Sequence, residues 1–174
     1  LGRPEEGKFE EKFSMKPVAK SLSSILNEEV GLIDRLDSEE IFKSSLSIQI
    51  LENIRFFKGE KANDKDLGNT LANLGDIYVF DAFGTAHREQ ASTHSAIEQS
   101  KIACAGLLLE REIDFLTKAL NDYQNPYVAI IGGAKVSTKL ELIKYINNVA
   151  DNIIVGGGIA NTFILASGLN VGKS

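Results

Sequence analysis

Two apolar runs of strand length, Tyr127–Ile131 and Asn152–Val155, each end in glycines, with a helical periodicity between them. Gly132-Gly133 closes the first run and Gly156-Gly157-Gly158 the second. Between them apolar residues recur at Val136, Leu140, Ile143, Ile146 and Val149, the spacing of an amphipathic helix over 135–149. Another helix is expected over Ala160–Ala166. Strand–helix–strand–helix is met most simply by a parallel pair with a right-handed crossover, which sets the fold class as α/β.

The first half alternates in the same way, less cleanly. Val18, Leu22, Ile25 and Leu26 predict a helix over 14–26, with Ser14 as N-cap and Pro17 in the first turn. Strands are expected near Val30–Ile33, over 46–51 and over Ile77–Phe80, with a helix at Leu67–Leu74 between the last two. The acidic segment Asp34–Glu40 reads as a solvated loop or helix start, and the charged run Lys58–Lys65 as an exposed loop. A long amphipathic helix over 106–121, carrying Leu108, Leu109, Ile113, Leu116 and Leu120, leads into the polar turn Asn121–Pro126.

This helix places the domain boundary. Residues 1–105 form a partial first domain, 106–125 the connecting helix and linker, and 126–174 the start of a second domain. A stretch of about 50 residues is short for an independent core, so the second domain is expected to need more chain or a partner. The formal charge, 19 − 24 = −5, and the absence of any basic run or tryptophan exclude a bulk nucleic-acid binder. No apolar run reaches the ~20 residues of a membrane span. The single cysteine, Cys104, excludes an internal disulfide and reads as a small buried hydrophobe in a reducing cytosol.

The chemistry concentrates where strands end. After Gly132-Gly133 the backbone can approach a ligand closely, and a following helix N-terminus offers free N–H groups to an anion. Lys135 and Lys139 are four apart, so they are expected on one face of that helix. Cations there oppose the helix dipole by about 0.3–1 kcal/mol each, a sign that a bound polyphosphate reverses. Solvated surface lysines are the plain alternative. The triplet at Gly156 emerges at the same carboxyl edge, where open α/β sheets bind ligands, although neither turn is a G-x-G-x-x-G fingerprint. Gly168–Ser174 imitates a P-loop but has three residues between its glycines where four are required, and it follows a helix.

In the first half the cations Arg3, Arg55, His87 and Arg88 occupy loops, three of them just after strands. Converging on one edge they would make an anion pocket, since guanidinium suits carboxylate and phosphate; singly, each reads as a surface ion pair. His94 reads as structural, and Asp81 as bonding the backbone of its own turn. The scattered histidines and cysteine give no metal spacing, and no G-x-S-x-G elbow anchors a hydrolase triad.

Five strings, LGRPEEG, ENIRFFKGEK at 52–61, DAFGTAHREQAST at 81–93, AIIGGAKVSTK at 129–139 and IIVGGGIANTF at 153–163, resemble the phosphoglycerate kinases along the whole chain. The resemblance implies two Rossmann-like parallel-sheet domains joined by a long helix, both incomplete here. Arg3, Arg55, His87 and Arg88 match the family's basic patch for 3-phosphoglycerate. Lys135 and Lys139 match its phosphate-contacting lysines, Gly133 lies beside them, and Gly157 matches the glycine near the adenine. Lys135 is expected to stabilise the transferring phosphoryl group. The implied reaction links ATP and 3-phosphoglycerate to ADP and 1,3-bisphosphoglycerate, with Mg²⁺ carried by the nucleotide, in a monomeric, cytoplasmic, glycolytic enzyme.

The family's Arg-x-Asp-x-Asn-Val-Pro segment, the histidine before Leu1 and the Asp-Thr/Ser nucleotide loop have no counterpart here. These residues alone are therefore expected to be inactive. A non-catalytic phosphoglycerate- or nucleotide-binding remnant is the alternative to an enzyme segment.

Overall fold

A computed structural model describes residues 2–36, 41, 43–133, 135–137 and 139–173. The chain divides into two compact units, Leu1–Glu112 and Ile113–Ser174. Of the acidic segment expected as a loop or helix start, 37–40 lie outside the described residues.

In the first unit, α1 (Lys16–Leu26) leads to β1 (Val30–Ile33), which pairs in parallel with β2 (Ile48–Leu51). Pro17 sits in the first turn of α1 as expected, but Met15 is the N-cap. Ser14 lies one position earlier and accepts the Lys16 N–H while donating to Glu52. The helix α2 (Lys65–Ala72) starts two residues before its expected position because the Asp64 carboxylate caps it, accepting from Leu67 N at 2.8 Å. Then β3 (Tyr78–Phe80), the short α3 (Ala96–Gln99) and β4 (Ala103–Ala105) follow, with β3 and β4 parallel. The core of this unit joins Leu67 and Leu71 of α2 to Ala91 and Ala96. Gly68 permits that approach, for a Cβ there would collide with Ser95.

The helix α4 (Leu107–Asn121) straddles the division between the units. In the second unit β5 (Val128–Ile131) and β6 (Asn152–Val155) run parallel in the register Ala129↔Ile153 and Ile131↔Val155. Between them lies α5 (Leu140–Ile146), and α6 (Gly158–Ala166) follows β6. Ala129 and Ile131 point into a core with Ile143, Ile146 and the fully buried Ile159. Burial of a side chain such as Ile159 contributes about 1.5–3 kcal/mol. On the other face Ile130 is 77% and Ile154 53% exposed, so this sheet is covered on one side only. Parallel sheets are ordinarily covered on both.

Three expectations need correction. The helix over 135–149 is shorter: Lys139 has non-helical φ −125° and ψ 3°, and its N–H closes a turn onto Val136 O at 2.9 Å. A second turn at Asn147–Val149 ends it. Cys104 is exposed, because β4 is paired only with β3 among the described residues and carries no covering layer. The run Lys58–Lys65 is not uniformly exposed either, since Glu60 within it is 2% accessible.

Candidate functional site

In the first unit the turn after β2, the strand β3 and the loop that follows it line a cavity of ≈ 420 Å³. Ile54, Arg55, Glu60, Tyr78–Ala82, Thr85, Gln90, Ser92 and Thr93 line it. Arg55 follows β2 on a single 3₁₀ turn, Ile54–Phe56, whose start is fixed by Asn53 accepting the Arg55 N–H through its side chain. The half-buried guanidinium has no carboxylate partner among the described residues. It meets Gln90 Oε1 at 3.4 Å, a neutral and long contact. A cation so placed is ready to take an anionic ligand.

Arg88 follows a turn closed by its N–H onto Thr85 O at 2.9 Å, and its carbonyl accepts from Thr93 Oγ1 at 2.6 Å. His87 is exposed beside it. Arg3 is exposed on the segment before α1, which is fastened by Gly7 N to Phe56 O at 2.8 Å and by Phe9 against Phe56. The cavity lining includes Arg55 but not Arg3, His87 or Arg88. Nor do β2 and β3 share a ladder among the described residues; only the turn after β2 reaches the cavity that β3 lines.

Two buried carboxylates hold this region. Glu52, 4% exposed, accepts from Ser14 Oγ at 2.6 Å, Met15 N at 2.7 Å and Asn53 N at 2.6 Å. Burial, the largest single influence, pushes its pKa up, but the hydrogen bonds from Ser14, Asn53 and Met15 together hold it below the ordinary range. Glu60 accepts from Ser92 Oγ at 2.6 Å and Ser92 N at 3.0 Å. Burial, with the Glu60 charge adding to it, pushes the neighbouring Tyr78 phenol up. Asn63 completes the frame, with Oδ1 accepting from Ser95 N and Oγ and Nδ2 contacting His94 Nδ1 at 3.2 Å. Composition hides Glu60 and Asn63 inside a charged run. The signal that marks them is their spacing between Gly59, at φ +93°, and the capping Asp64.

Among the described residues Asp81 bonds a helix start and not its own turn. Its Oδ1 accepts from Leu109 N at 2.8 Å, capping α4 from the end of β3, and it fills the space that a side chain at Gly106 would need.

In the second unit both glycine turns lie at the carboxyl ends of their parallel strands. Gly133 O accepts from Ile159 N at 3.1 Å, and Gly157, at φ 65° and ψ −151°, packs directly on Gly133. Lys139 extends over this junction, its Nζ 3.0 Å from where a Gly133 Cβ would be. Lys139 is the N-cap of α5 and Lys135 lies in the exposed stretch before it, so the two do not share a helical face. The approach of Lys139 to Gly133 comes from the turn instead. Backbone N–H groups at the start of α6, close-packed glycines and an ammonium group together suit a phosphate.

Residues 1–174 match the family model described as phosphoglycerate kinase. A phosphoglycerate kinase from Vibrio campbellii is 51% identical over 175 residues, which is 100% of this chain and 45% of that protein. Among solved structures, phosphoglycerate kinase from Coxiella burnetii superposes with a TM-score of 0.82 at 50% identity, over 100% of this chain and 44% of that one. The enzyme from Pyrococcus horikoshii OT3 gives 0.78 at 30% identity, over 99% and 45%. The chain thus spans less than half the length of the relatives it matches.

Proposed function

Because the chain belongs to the phosphoglycerate kinase family, we propose that the complete polypeptide carrying it transfers a phosphoryl group reversibly between ATP and the carboxylate of 3-phosphoglycerate. A carboxylate oxygen bonds to the γ-phosphorus as the bond to the ADP oxygen breaks, giving 1,3-bisphosphoglycerate and ADP. Such transfer depends on positioning and neutralising charge rather than on covalent chemistry by the protein.

The observation that carries this reading is the half-buried Arg55, without a carboxylate partner among the described residues, at the mouth of a cavity of ≈ 420 Å³. Arg55 binds the acid substrate, assisted by Arg3, His87 and Arg88. In the second unit Gly133, Gly157 and Lys139 hold the nucleotide, and Lys135 stabilises the transferring group. Magnesium enters with the nucleotide and supplies further neutralisation of the phosphate oxygens. We place the complete protein in the cytoplasm as a monomer, as the family resemblance implies. No helix among the described residues is long and apolar enough to cross a membrane.

The share of the relatives that the chain covers favours a second reading for residues 1–174 by themselves, namely binding without turnover. A coupled assay of ADP formation in Mg-ATP and 3-phosphoglycerate separates the two. Turnover is expected from the complete polypeptide and none from residues 1–174 alone. No 3-phosphoglycerate-dependent ADP from the former would overturn the enzyme reading, and ordinary turnover by the latter the binding-remnant one.

A further inference from the structure

Glu60 is buried without any cation at salt-bridge distance among the described residues, and both of its carboxylate oxygens are taken by one residue of one loop. Its carboxylate takes Ser92 Oγ and Ser92 N, and its own carbonyl accepts from Ala91 N at 2.9 Å. From the other side Tyr78 Oη donates to Ser92 O at 2.7 Å. The clamped residues sit between Gln90, which contacts the Arg55 guanidinium, and Thr93, whose hydroxyl fixes the Arg88 carbonyl. A carboxylate costs free energy to bury, and an apolar side chain would fill this space more cheaply. Both oxygens of Glu60 are occupied by the loop, and an acidic group has no attraction for an anionic ligand.

We propose that Glu60 is a positioning residue for the anion cavity, fixing residues 88–93 so that Gln90 keeps its contact with Arg55 and Thr93 its hold on the Arg88 carbonyl. This rests on the assignment of 3-phosphoglycerate to that cavity.

The test uses the complete polypeptide and reads KM for 3-phosphoglycerate and for Mg-ATP separately in Glu60→Ala, Glu60→Gln and Ser92→Ala. Glu60→Ala is expected to raise KM for the acid by roughly tenfold or more while KM for Mg-ATP moves by less than about twofold. Glu60→Gln restores most of the loss, because its amide oxygen accepts the Ser92 N–H and its amide nitrogen donates to Ser92 Oγ. Ser92→Ala, which keeps the backbone bond, falls between them. Equal changes in both KM values, or no change in either, would overturn the proposal, as would a Gln variant no better than Ala. Amide exchange at Ser92, measured without substrate in wild type and Glu60→Gln or Ser92→Ala, keeps the clamp testable if Glu60→Ala does not fold or if wild type ignores 3-phosphoglycerate. Faster exchange in Ser92→Ala than in Glu60→Gln supports the clamp; identical exchange in wild type and Ser92→Ala contradicts it.

Discussion

Gly157 rests on the backbone of Gly133, so closely that a Cβ on Gly157 would lie 3.1 Å from the Gly133 carbonyl oxygen. Two glycine turns 24 residues apart are thereby made into one surface at the ends of β5 and β6. The Gly133 carbonyl also receives the Ile159 N–H, so the same contact seats the start of α6.

Gly157→Ala tests that contact. At φ 65° and ψ −151° the backbone occupies a region that is essentially glycine's alone, and the new methyl meets a carbonyl that cannot move freely. The expected cost is about 1–3 kcal/mol in denaturant unfolding of the second unit, together with weaker nucleotide binding. Unchanged stability would show that the turn relaxes.

Glu52 predicts an acid dependence. Its carboxylate pKa is lower in the fold than its ordinary value of 4.5, so its contribution is fully present above that value and fades as pH falls through the depressed one. Glu52→Ala leaves buried donors unpaired and is expected to cost about 1–3 kcal/mol at pH 7. Glu52→Gln keeps the geometry but not the charge, and should cost about 1 kcal/mol, with the gap to wild type closing below the carboxylate range. Thermal melts from pH 7 down to the acid limit check this. A gap that stays constant with pH contradicts it.

Arg55 and Lys139 should separate by ligand. In the complete polypeptide, Arg55→Ala is expected to weaken 3-phosphoglycerate by roughly 10–100-fold while leaving Mg-ATP nearly unchanged, and Lys139→Ala should do the converse. Arg55→Lys recovers only part of the loss, because an ammonium cannot form the bidentate contact. Isothermal titration of each variant with each ligand reads the outcome. Either substitution weakening both ligands alike counts against separate sites.

Asp81 and Leu109 are joined across 28 residues at the start of α4. Asp81→Ala removes a capping acceptor and should destabilise the first turn of that helix by about 0.5–2 kcal/mol. Amide exchange at Leu109 and Glu110 is expected to speed up, with that of α5 unaffected. Equal protection in variant and wild type would mean that the cap is idle.

The strands Val30–Ile33 and Asn152–Val155 lie where short runs rich in β-branched residues predict them, the second closed by Gly156. The start of α5 departs from its expected place, because Val136 continues the helical periodicity while its carbonyl accepts the Lys139 N–H in a turn. Periodicity reports which face is apolar and says little about where hydrogen bonding begins. Cys104 departs from its expected burial for a related reason: an apolar run is buried only if another layer covers it. Among the site residues, Arg55 stood out by its type and its place after a strand. Glu52 and Glu60 did not, because nothing local distinguishes a buried acid from its solvated neighbours until their partners, Ser14 and Ser92, are placed 38 and 32 residues away.

The proposed function requires an acid-substrate site in the first unit and a nucleotide site in the second. Amide NMR of the complete, isotope-labelled polypeptide, titrated with 3-phosphoglycerate and then separately with Mg-ATP, tests it most directly. 3-Phosphoglycerate is expected to shift the resonances around Arg55, Arg88 and Gln90, and Mg-ATP those around Gly133, Lys139 and Gly157. Both ligands moving the same set, or 3-phosphoglycerate leaving the Arg55 segment untouched, would contradict it.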